Sequence, residues 1–230
     1  MRPTRRSLLK FLIAAGSAAG ALGAAGIYWF RRWLNPMTRL DYPFPEPPMR
    51  PPLALTPACD AAARSLTAES LEGPFYIPKT PQRTVLREPD TIGRPLLITG
   101  RVMYPDCRPI AGAVLDFWSC DGAGVYDNDG YRLRGHQFTD AAGKFQVELV
   151  KPKDYALLWF RRTAHVHVKV QGRDTPLLTT QLFFPGEPLN SQDPYLDERL
   201  LLALAERPDG SLLGRFDFVL ARTGPAWPSA

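Results

Sequence analysis

The feature that most constrains this chain is a strict alternation of residue types over residues 163–170, TAHVHVKV. Successive side chains of a β-strand point to opposite faces, so Val166 and Val168 share an apolar face while His165 and His167 share the other. Two imidazoles on one face of a rigid strand can converge on a single cation, and imidazole suits zinc, copper, iron and nickel. Ordinary surface strands also carry polar residues at alternate positions, so the rest of the chain has to decide between the two interpretations.

The remainder of the chain reads as short strands separated by turns. Such a pattern predicts an all-β fold, an antiparallel β-sandwich with long loops over a metal site. Besides the histidine strand, we expect strands over 96–103, 113–118, 144–150, 177–184 and 215–220, with turns at 105–109 and 139–143. A short surface helix is predicted over 196–205, because Leu200, Leu201 and Leu204 would then share a face.

The amino-terminal region predicts export and two segments outside the sandwich. Arg5 and Arg6 precede an uncharged run over 11–30, which resembles a twin-arginine signal and is also just long enough to span a bilayer. We therefore expect an N-terminal signal or anchor helix over 1–34, a Pro-rich linker or stalk over 35–58, and the sandwich domain over 59–222. The expected location is periplasmic or extracytoplasmic, with a membrane anchor if the leader is not cleaved.

Charge and cysteine content fit that organisation. Six basic residues and no acidic ones precede Met37, so the formal charge of +5 falls to −1 without them. The near-neutral remainder gives no reason to expect a nucleic-acid partner. An oxidising compartment would favour one disulfide and one free thiol among Cys59, Cys107 and Cys120, and we expect Cys59 to pair with one of the other two.

Two tyrosines stand where loops would bring them over the histidine strand. Tyr126 follows a glycine-rich turn just past a predicted strand, and Tyr155 follows the loop at 151–154. An isolated tyrosine in such a place is more often a core or rim aromatic whose hydroxyl contacts a neighbour. The combination with His165 and His167 points instead to a shared site.

Several separate motifs, in their order and spacing, resemble those of the intradiol ring-cleavage dioxygenases. The resemblance runs from about residue 59 to residue 184 and is greatest to an exported single-chain branch similar to the beta subunit of protocatechuate 3,4-dioxygenase. The segment 156–161 departs from the commoner pattern, because it is more apolar and lacks the usual proline after the tyrosine. The motifs are Glu72-Gly73-Pro74-Phe75-Tyr76, Pro109-Ile110-Ala111-Gly112-Ala113 with Trp118, Gly124-Val125-Tyr126, Arg134-Gly135, Thr139-Asp140 with Gly143, Pro152 with Tyr155, Arg162 with His165-Val166-His167, and 180–184.

This resemblance implies a non-haem Fe(3+) cofactor and a reaction of aromatic compound catabolism. Both atoms of O2 would enter a catechol-type substrate, and intradiol cleavage would give a cis,cis-muconate-type diacid. Tyr155 would be the ligand that substrate displaces and would then take a substrate proton, while Arg162 would stabilise developing charge. The implied metal ligands are Tyr126, Tyr155, His165 and His167, and the implied substrate pocket contains Tyr76, Pro74 and Gln181.

Two other functions remain open at this point. A transthyretin-like or carboxypeptidase-regulatory-like binding module shares some of the motifs, and a zinc hydrolase could use His136, His165 and His167. For an enzyme, the expected partners are a small catechol-type substrate and O2, with a homo-oligomer left open. The apolar stretch 156–160 beside Tyr155 predicts a preference for uncharged over carboxylated catechols, unless Arg161 turns inward as a carboxylate partner.

Overall fold

The computed structural model describes residues 65–157 and 160–223, with only the backbone of Leu157 and Phe160. The predicted leader over 1–34, the linker over 35–58 and Cys59 lie outside these residues. Within them, no helix is both long and apolar enough to cross a membrane. The described residues form eleven strands: β1 Pro95–Met103, β2 Val114–Trp118, β3 Arg134–Phe138, β4 Lys144–Val150, β5 Tyr155–Leu157, β6 Phe160–Arg162, β7 His165–Gln171, β8 Leu178–Phe183, β9 Ala203–Glu206, β10 Leu212–Arg215 and β11 Phe218–Val219.

The histidine strand β7 lies inside a four-stranded antiparallel sheet with the order β3-β2-β7-β8. His167 is paired with Trp118 on one side and with Gln181 on the other. Because the pleat alternates, Val166, Val168 and Val170 point into the hydrophobic core, and the histidines point to the opposite face. The predicted alternation is therefore realised, and both of its faces are buried.

The second sheet is mixed, which corrects the prediction of a purely antiparallel sandwich. Strand β1 pairs antiparallel with β4 but parallel with β10 and with β11. The predicted closing strand over 215–220 is broken between β10 and β11. There the Phe216 backbone crosses Gly100 so closely that a Cβ at Gly100 would lie 1.7 Å from the Phe216 carbonyl oxygen, and Asp217 accepts a hydrogen bond from the Arg101 amide.

The predicted surface helix over 196–205 is wrong. The chain forms a single 3-10 turn, Glu198–Leu200, and then strand β9, which pairs antiparallel with β10. The leucines that decide this are Leu200, Leu202 and Leu204, which follow a period of two. Leu200 and Leu202 are buried and Leu204 packs against the core, while Ala203 and Ala205 are exposed. Packing at strand period outweighs the helix propensity of this leucine-rich stretch.

The core fills the space between the two sheets, with side chains such as Ile98, Val147 and Phe117 fully buried. The other face of the histidine-bearing sheet is covered by the extended segment 65–86. This segment bonds to the sheet through the Ser70 amide to Thr179 and through the Arg83 amide to His136. Polar and titratable side chains on that face are therefore shielded from solvent, which is the setting of the candidate site. Cys107 is disulfide-bonded and Cys120 is a buried free thiol.

Candidate functional site

His165 and His167 present their Nε2 atoms to the same point on the covered face of the sheet. The His165 Nδ1 atom lies 2.6 Å from the Thr163 carbonyl oxygen. A carbonyl can only accept, so Nδ1 carries the hydrogen and Nε2 keeps its lone pair. The two Nε2 atoms are 3.1 Å apart. Two nitrogens that bind one cation at about 2 Å and at roughly a right angle would be about 3 Å apart, so the observed distance fits a shared cation.

Both imidazoles are held in their neutral form. Burial, together with the neighbouring Arg162 charge, lowers the pKa of His165 to about 3. Burial, followed by the charges of His165, Arg162 and Arg134, lowers the pKa of His167 well below its ordinary value, and the Leu71 carbonyl opposes this only in part. Near neutral pH both rings are therefore lone-pair donors, as metal binding requires.

Tyr155 and Tyr126 complete the cluster. The Tyr155 hydroxyl lies 3.4 Å from His165 Nε2, and the Tyr126 ring meets the Tyr155 ring edge-on at 5.3 Å between centroids. The Tyr126 hydroxyl is buried and has no hydrogen-bond partner of normal geometry among the described residues, although Tyr155 is close enough to affect its pKa. A buried orphaned hydroxyl is costly, and a cation at this position would satisfy it.

The two phenols are expected to stay protonated when no cation is bound. Burial raises the pKa of Tyr126 well above its usual value, and the neighbouring Tyr155 adds to the effect. Burial also raises the pKa of Tyr155, while the Arg162 charge acts in the opposite direction. Only a strongly charged cation would remove these protons, so two phenols with two neutral imidazoles fit a hard trivalent ion better than a softer divalent one.

A tight turn after β2 brings Tyr126 to Tyr155. The Asp121 side chain accepts hydrogen bonds from the amides of Ala123 and Val125. Gly124 has a φ of +84°, and a Cβ there would lie 2.9 Å from the Asp154 carbonyl oxygen. The glycine therefore allows the loop before Tyr126 to lie directly against the residue that precedes Tyr155.

Arg162 is fixed beside the cluster by partners on three sides. Its Nε donates to Asp193 at 2.9 Å, and one terminal nitrogen donates to the Gln181 side-chain oxygen at 2.6 Å. The Tyr195 ring lies 4.8 Å from the guanidinium carbon. Arg162 and Asp193 are both almost fully buried, so the pair is a rigid cationic group held next to His165 and Tyr155.

The proposed pocket residues Tyr76, Pro74 and Gln181 occupy different places. Gln181 bridges Arg162 to the segment above it by donating to the Leu71 carbonyl at 2.7 Å. The Tyr76 hydroxyl donates to buried Asp116 at 2.8 Å, and its ring packs on Trp118, which in turn stacks on His167. Pro74 is half-buried between Gly73 and Phe75 in the covering segment.

His136 does not join the other two histidines. Its Nδ1 atom lies 2.8 Å from the Thr80 carbonyl oxygen. In the register it stands opposite Asp116, two strands away from β7 and outside the row that holds His167. No three His, Cys, Asp or Glu side chains lie together as a metal-binding group in the described part of the chain. A three-histidine zinc site is therefore not supported.

Some residues around the site were missed from the sequence. Asp193 anchors Arg162 and also accepts from the Thr163 amide, while Phe75 stacks on Tyr126 at 4.3 Å. Asp193 lies in a polar loop far along the chain, and no local pattern distinguishes it from a solvent-exposed aspartate. Phe75 belongs to the motif over residues 72–76, but its stacking contact with Tyr126 depends on how the covering segment crosses the sheet.

The β-sandwich with a buried cluster of two imidazoles and two phenols fits an enzyme site that could hold a metal ion, and comparisons with known proteins supply the family. A family profile described as Dioxygenase matches residues 71–222. The chain belongs to the intradiol ring-cleavage dioxygenase family, as the sequence motifs predicted.

Individual relatives agree with the profile. Catechol 1,2-dioxygenase 1 of Acinetobacter lwoffii is 31% identical over 175 residues, which cover 64% of this chain and 56% of that enzyme, so the chain spans little more than half of its length. The dioxygenase domain of a dioxygenase carbohydrate-binding protein fusion from Streptomyces sp. SirexAA-E is 41% identical with a TM-score of 0.64, covering 70% of this chain and 100% of that one. The 3-chlorocatechol 1,2-dioxygenase of Rhodococcus opacus 1CP is 26% identical with a TM-score of 0.66, covering 71% and 75%.

Proposed function

We propose that this protein is a non-haem iron(III) dioxygenase that inserts both atoms of O2 into a catechol-type aromatic and cleaves the ring between the two hydroxyls. The observation that carries the proposal is the convergence on His165 Nε2 of His167 Nε2, at 3.1 Å, and of the Tyr155 hydroxyl, at 3.4 Å, beside the orphaned Tyr126 hydroxyl. The family match favours this enzyme over a transthyretin-like binding module, in which the buried cluster of two tyrosines and two histidines would have no function.

Iron is the cofactor that the ligand set fits best, with Tyr126, Tyr155, His165 and His167 as the residues that would hold it. Iron(III), when bound, would chelate the two catechol oxygens and make the ring reactive toward O2. The protein residues supply a dry, preorganised enclosure, because every proposed ligand is at most 7% exposed.

Tyr155 and Arg162 have distinct roles in the proposed reaction. Tyr155 would be the residue that holds a proton from a catechol hydroxyl, because burial raises the pKa of its phenol and favours the protonated form. Arg162 is held by Asp193 and Gln181 and therefore offers a fixed positive charge for the negative charge that develops on the opening ring.

The charges near the site support a preference for uncharged catechols. Arg161 is exposed and pairs with Asp154, so its side chain does not point into the cluster. Arg162 is fixed by Asp193 beside His165 and Tyr155, and its charge is the one that we assign to the opening ring rather than to a ring substituent. A substrate carboxylate would therefore lack a free cationic partner among these two arginines, and burying it unpaired would be costly. The relatives named above act, by their names, on catechol and 3-chlorocatechol, which carry no carboxylate.

One preparation tests both the reaction and the substrate preference. Protein loaded with iron should contain close to one iron per chain and show a visible tyrosinate-to-iron(III) charge-transfer band, which Tyr126→Phe should shift or remove. The kcat/KM should be higher for catechol or hydroxyquinol than for protocatechuate, with a muconate-type diacid as product. Stoichiometric zinc without iron would end the dioxygenase proposal. A preference for protocatechuate that is lost in Arg161→Ala would end the substrate proposal and identify Arg161 as the carboxylate partner.

We also propose that the protein is exported by the twin-arginine pathway. The leader motif at Arg5 and Arg6 supports this, as does the disulfide at Cys107, because disulfides persist in oxidising compartments.

A further inference from the structure

The six residues 71–76 form a strap that crosses the covered face of the histidine-bearing sheet. Side chains from all four strands of that sheet fasten it, and each of them is buried. Gln181 of β8 donates to the Leu71 carbonyl, Lys169 of β7 bonds to the Glu72 carboxylate, Arg134 of β3 donates to the Phe75 carbonyl, and Asp116 of β2 accepts from the Tyr76 hydroxyl.

The contact between Lys169 and Glu72 is a buried ion pair. Their Nζ and Oε2 atoms are 2.7 Å apart, and the side chains are 0% and 14% exposed. Lys169 also donates to Thr179 at 3.0 Å and lies 4.9 Å from the centre of the Tyr76 ring. A buried ion pair adds little net stability over apolar residues of the same size, because desolvation offsets the attraction. Its value in such a place is the geometry that it fixes.

What this pair fixes is the part of the strap that touches the proposed metal ligands. Gly73 follows Glu72 directly and has a φ of +70°, and a Cβ at Gly73 would lie 3.3 Å from the His167 Cε1 atom. Phe75 stacks on Tyr126 with 4.3 Å between ring centroids and an 18° angle between planes. The edge of the same ring meets Tyr155 at 5.9 Å. The strap therefore packs on three of the four proposed ligands.

We infer that Lys169 and Glu72 are positioning residues for the metal centre, although neither touches it. Their ion pair holds the strap at the distance from the sheet at which Gly73 packs against His167 and Phe75 packs against Tyr126. The inference rests on the proposed iron site, and it adds two residues that act through the strap rather than through the metal.

The test uses Lys169→Met, which removes the ammonium at similar volume, and the double variant Lys169→Met with Glu72→Gln, which removes both charges of the pair. In iron-free protein, amide hydrogen exchange over 71–76 should become faster by about tenfold. In iron-loaded protein the tyrosinate charge-transfer band should shift or weaken, and kcat/KM should fall by about 10- to 100-fold, the range for residues that support a metal ligand. Glu72→Gln alone should show the same changes and replaces Lys169→Met if that variant does not fold.

Val147→Ala is the matched control, because Val147 is fully buried in β4 and belongs to the core between the sheets, whereas the strap crosses the other face of the histidine-bearing sheet. It should lower thermal stability while leaving the band and the exchange of 71–76 unchanged. The inference is overturned if the Lys169 and Glu72 variants behave like Val147→Ala in both measurements. Absence of a charge-transfer band in the unmodified, iron-treated protein would instead refute the iron proposal, while the exchange measurement would still report on the strap.

Discussion

Tyr155 is held differently from the other three proposed ligands. His165 and His167 belong to β7, which has hydrogen-bonded neighbours on both sides. The Tyr126 ring is fixed by its stack on Phe75. Tyr155 begins β5, whose only described strand partner is the three-residue strand β6. A side chain on this short two-stranded hairpin can move aside at a lower cost than one in the middle of a four-stranded sheet.

This difference predicts separate effects on metal and on turnover. Tyr155→Phe should retain most of the iron but slow substrate binding and lower kcat by about 10- to 100-fold, because three ligands remain and the proton acceptor is lost. His165→Ala and His167→Ala should each lose the iron, because each removes a ligand that we expect to stay bound throughout the cycle. Iron per chain after exhaustive dialysis, together with stopped-flow substrate binding, would measure both effects. Equal loss of iron in all three variants would contradict the assignment.

A small cluster of Tyr104, Asp174 and Arg222 joins the two sheets of the sandwich. Tyr104 directly follows β1, and its hydroxyl donates to Asp174 at 2.5 Å, in the turn between β7 and β8. The Arg222 guanidinium lies 4.1 Å from the centre of the Tyr104 ring. The contact therefore ties the end of one sheet to a turn of the other.

Because of this contact, part of the stability should be lost at alkaline pH. Burial, and then the hydrogen bond to Asp174, raises the pKa of Tyr104 from 10.0 to about 12 in the folded protein. As the pH rises, Tyr104 therefore loses its hydroxyl proton in the unfolded chain first. Its contribution to the free energy of unfolding is complete below pH 10 and disappears as the pH rises toward 12. In urea titrations, the free energy of unfolding should fall more steeply over this range for the natural protein than for Tyr104→Phe. Parallel curves would show that Tyr104 has no part in the pH dependence.

The accuracy of the sequence-based prediction depended on whether the information was local. The sequence predicted strands β1, β2, β4, β7 and β8 close to their bounds, because apolar residues either alternate or form short continuous runs there, between turn residues. Strand β3 was missed, since Arg134 and His136 look like loop residues unless the covering segment 65–86 is known to bury them. The parallel pairing of β1 with β10 could not be predicted, because the local sequence of a strand does not show which distant strand will pair with it.

The same division holds for the candidate site. The histidine pair was found from the spacing within one strand, and both tyrosines were placed over that strand from their positions in loops. Their roles came from the family resemblance and remain to be tested. Asp193 and the strap contacts depend on loops that cross several strands, and such contacts exist only in the folded molecule.

At the scale of the whole molecule, export is the proposal most open to a direct experiment. Replacing both Arg5 and Arg6 by Lys keeps the charge of the leader but removes the twin-arginine motif. We expect the full chain to appear outside the cytoplasmic fraction and the variant to accumulate inside it. Cell fractionation followed by immunoblotting would measure this, with an Arg31→Lys and Arg32→Lys variant as the control that retains the motif. Unchanged export of the Arg5 and Arg6 variant would refute the proposal.

The parallel pairing of β1 also sets the order in which the chain can fold during synthesis. The sheet that carries His165 and His167 is built from strands that all lie within residues 114–183, so it can form before the later part of the chain is synthesised. Strand β1 leaves earlier, but its hydrogen bonds with Leu212–Arg215 and Phe218–Val219 must wait for almost the last residues of the described chain. Contacts between residues so distant in sequence form slowly. The hydrophobic core between the sheets can therefore close only after residue 219 has been synthesised, and a ribosome that stalls before residue 212 would leave one edge of β1 without its partner.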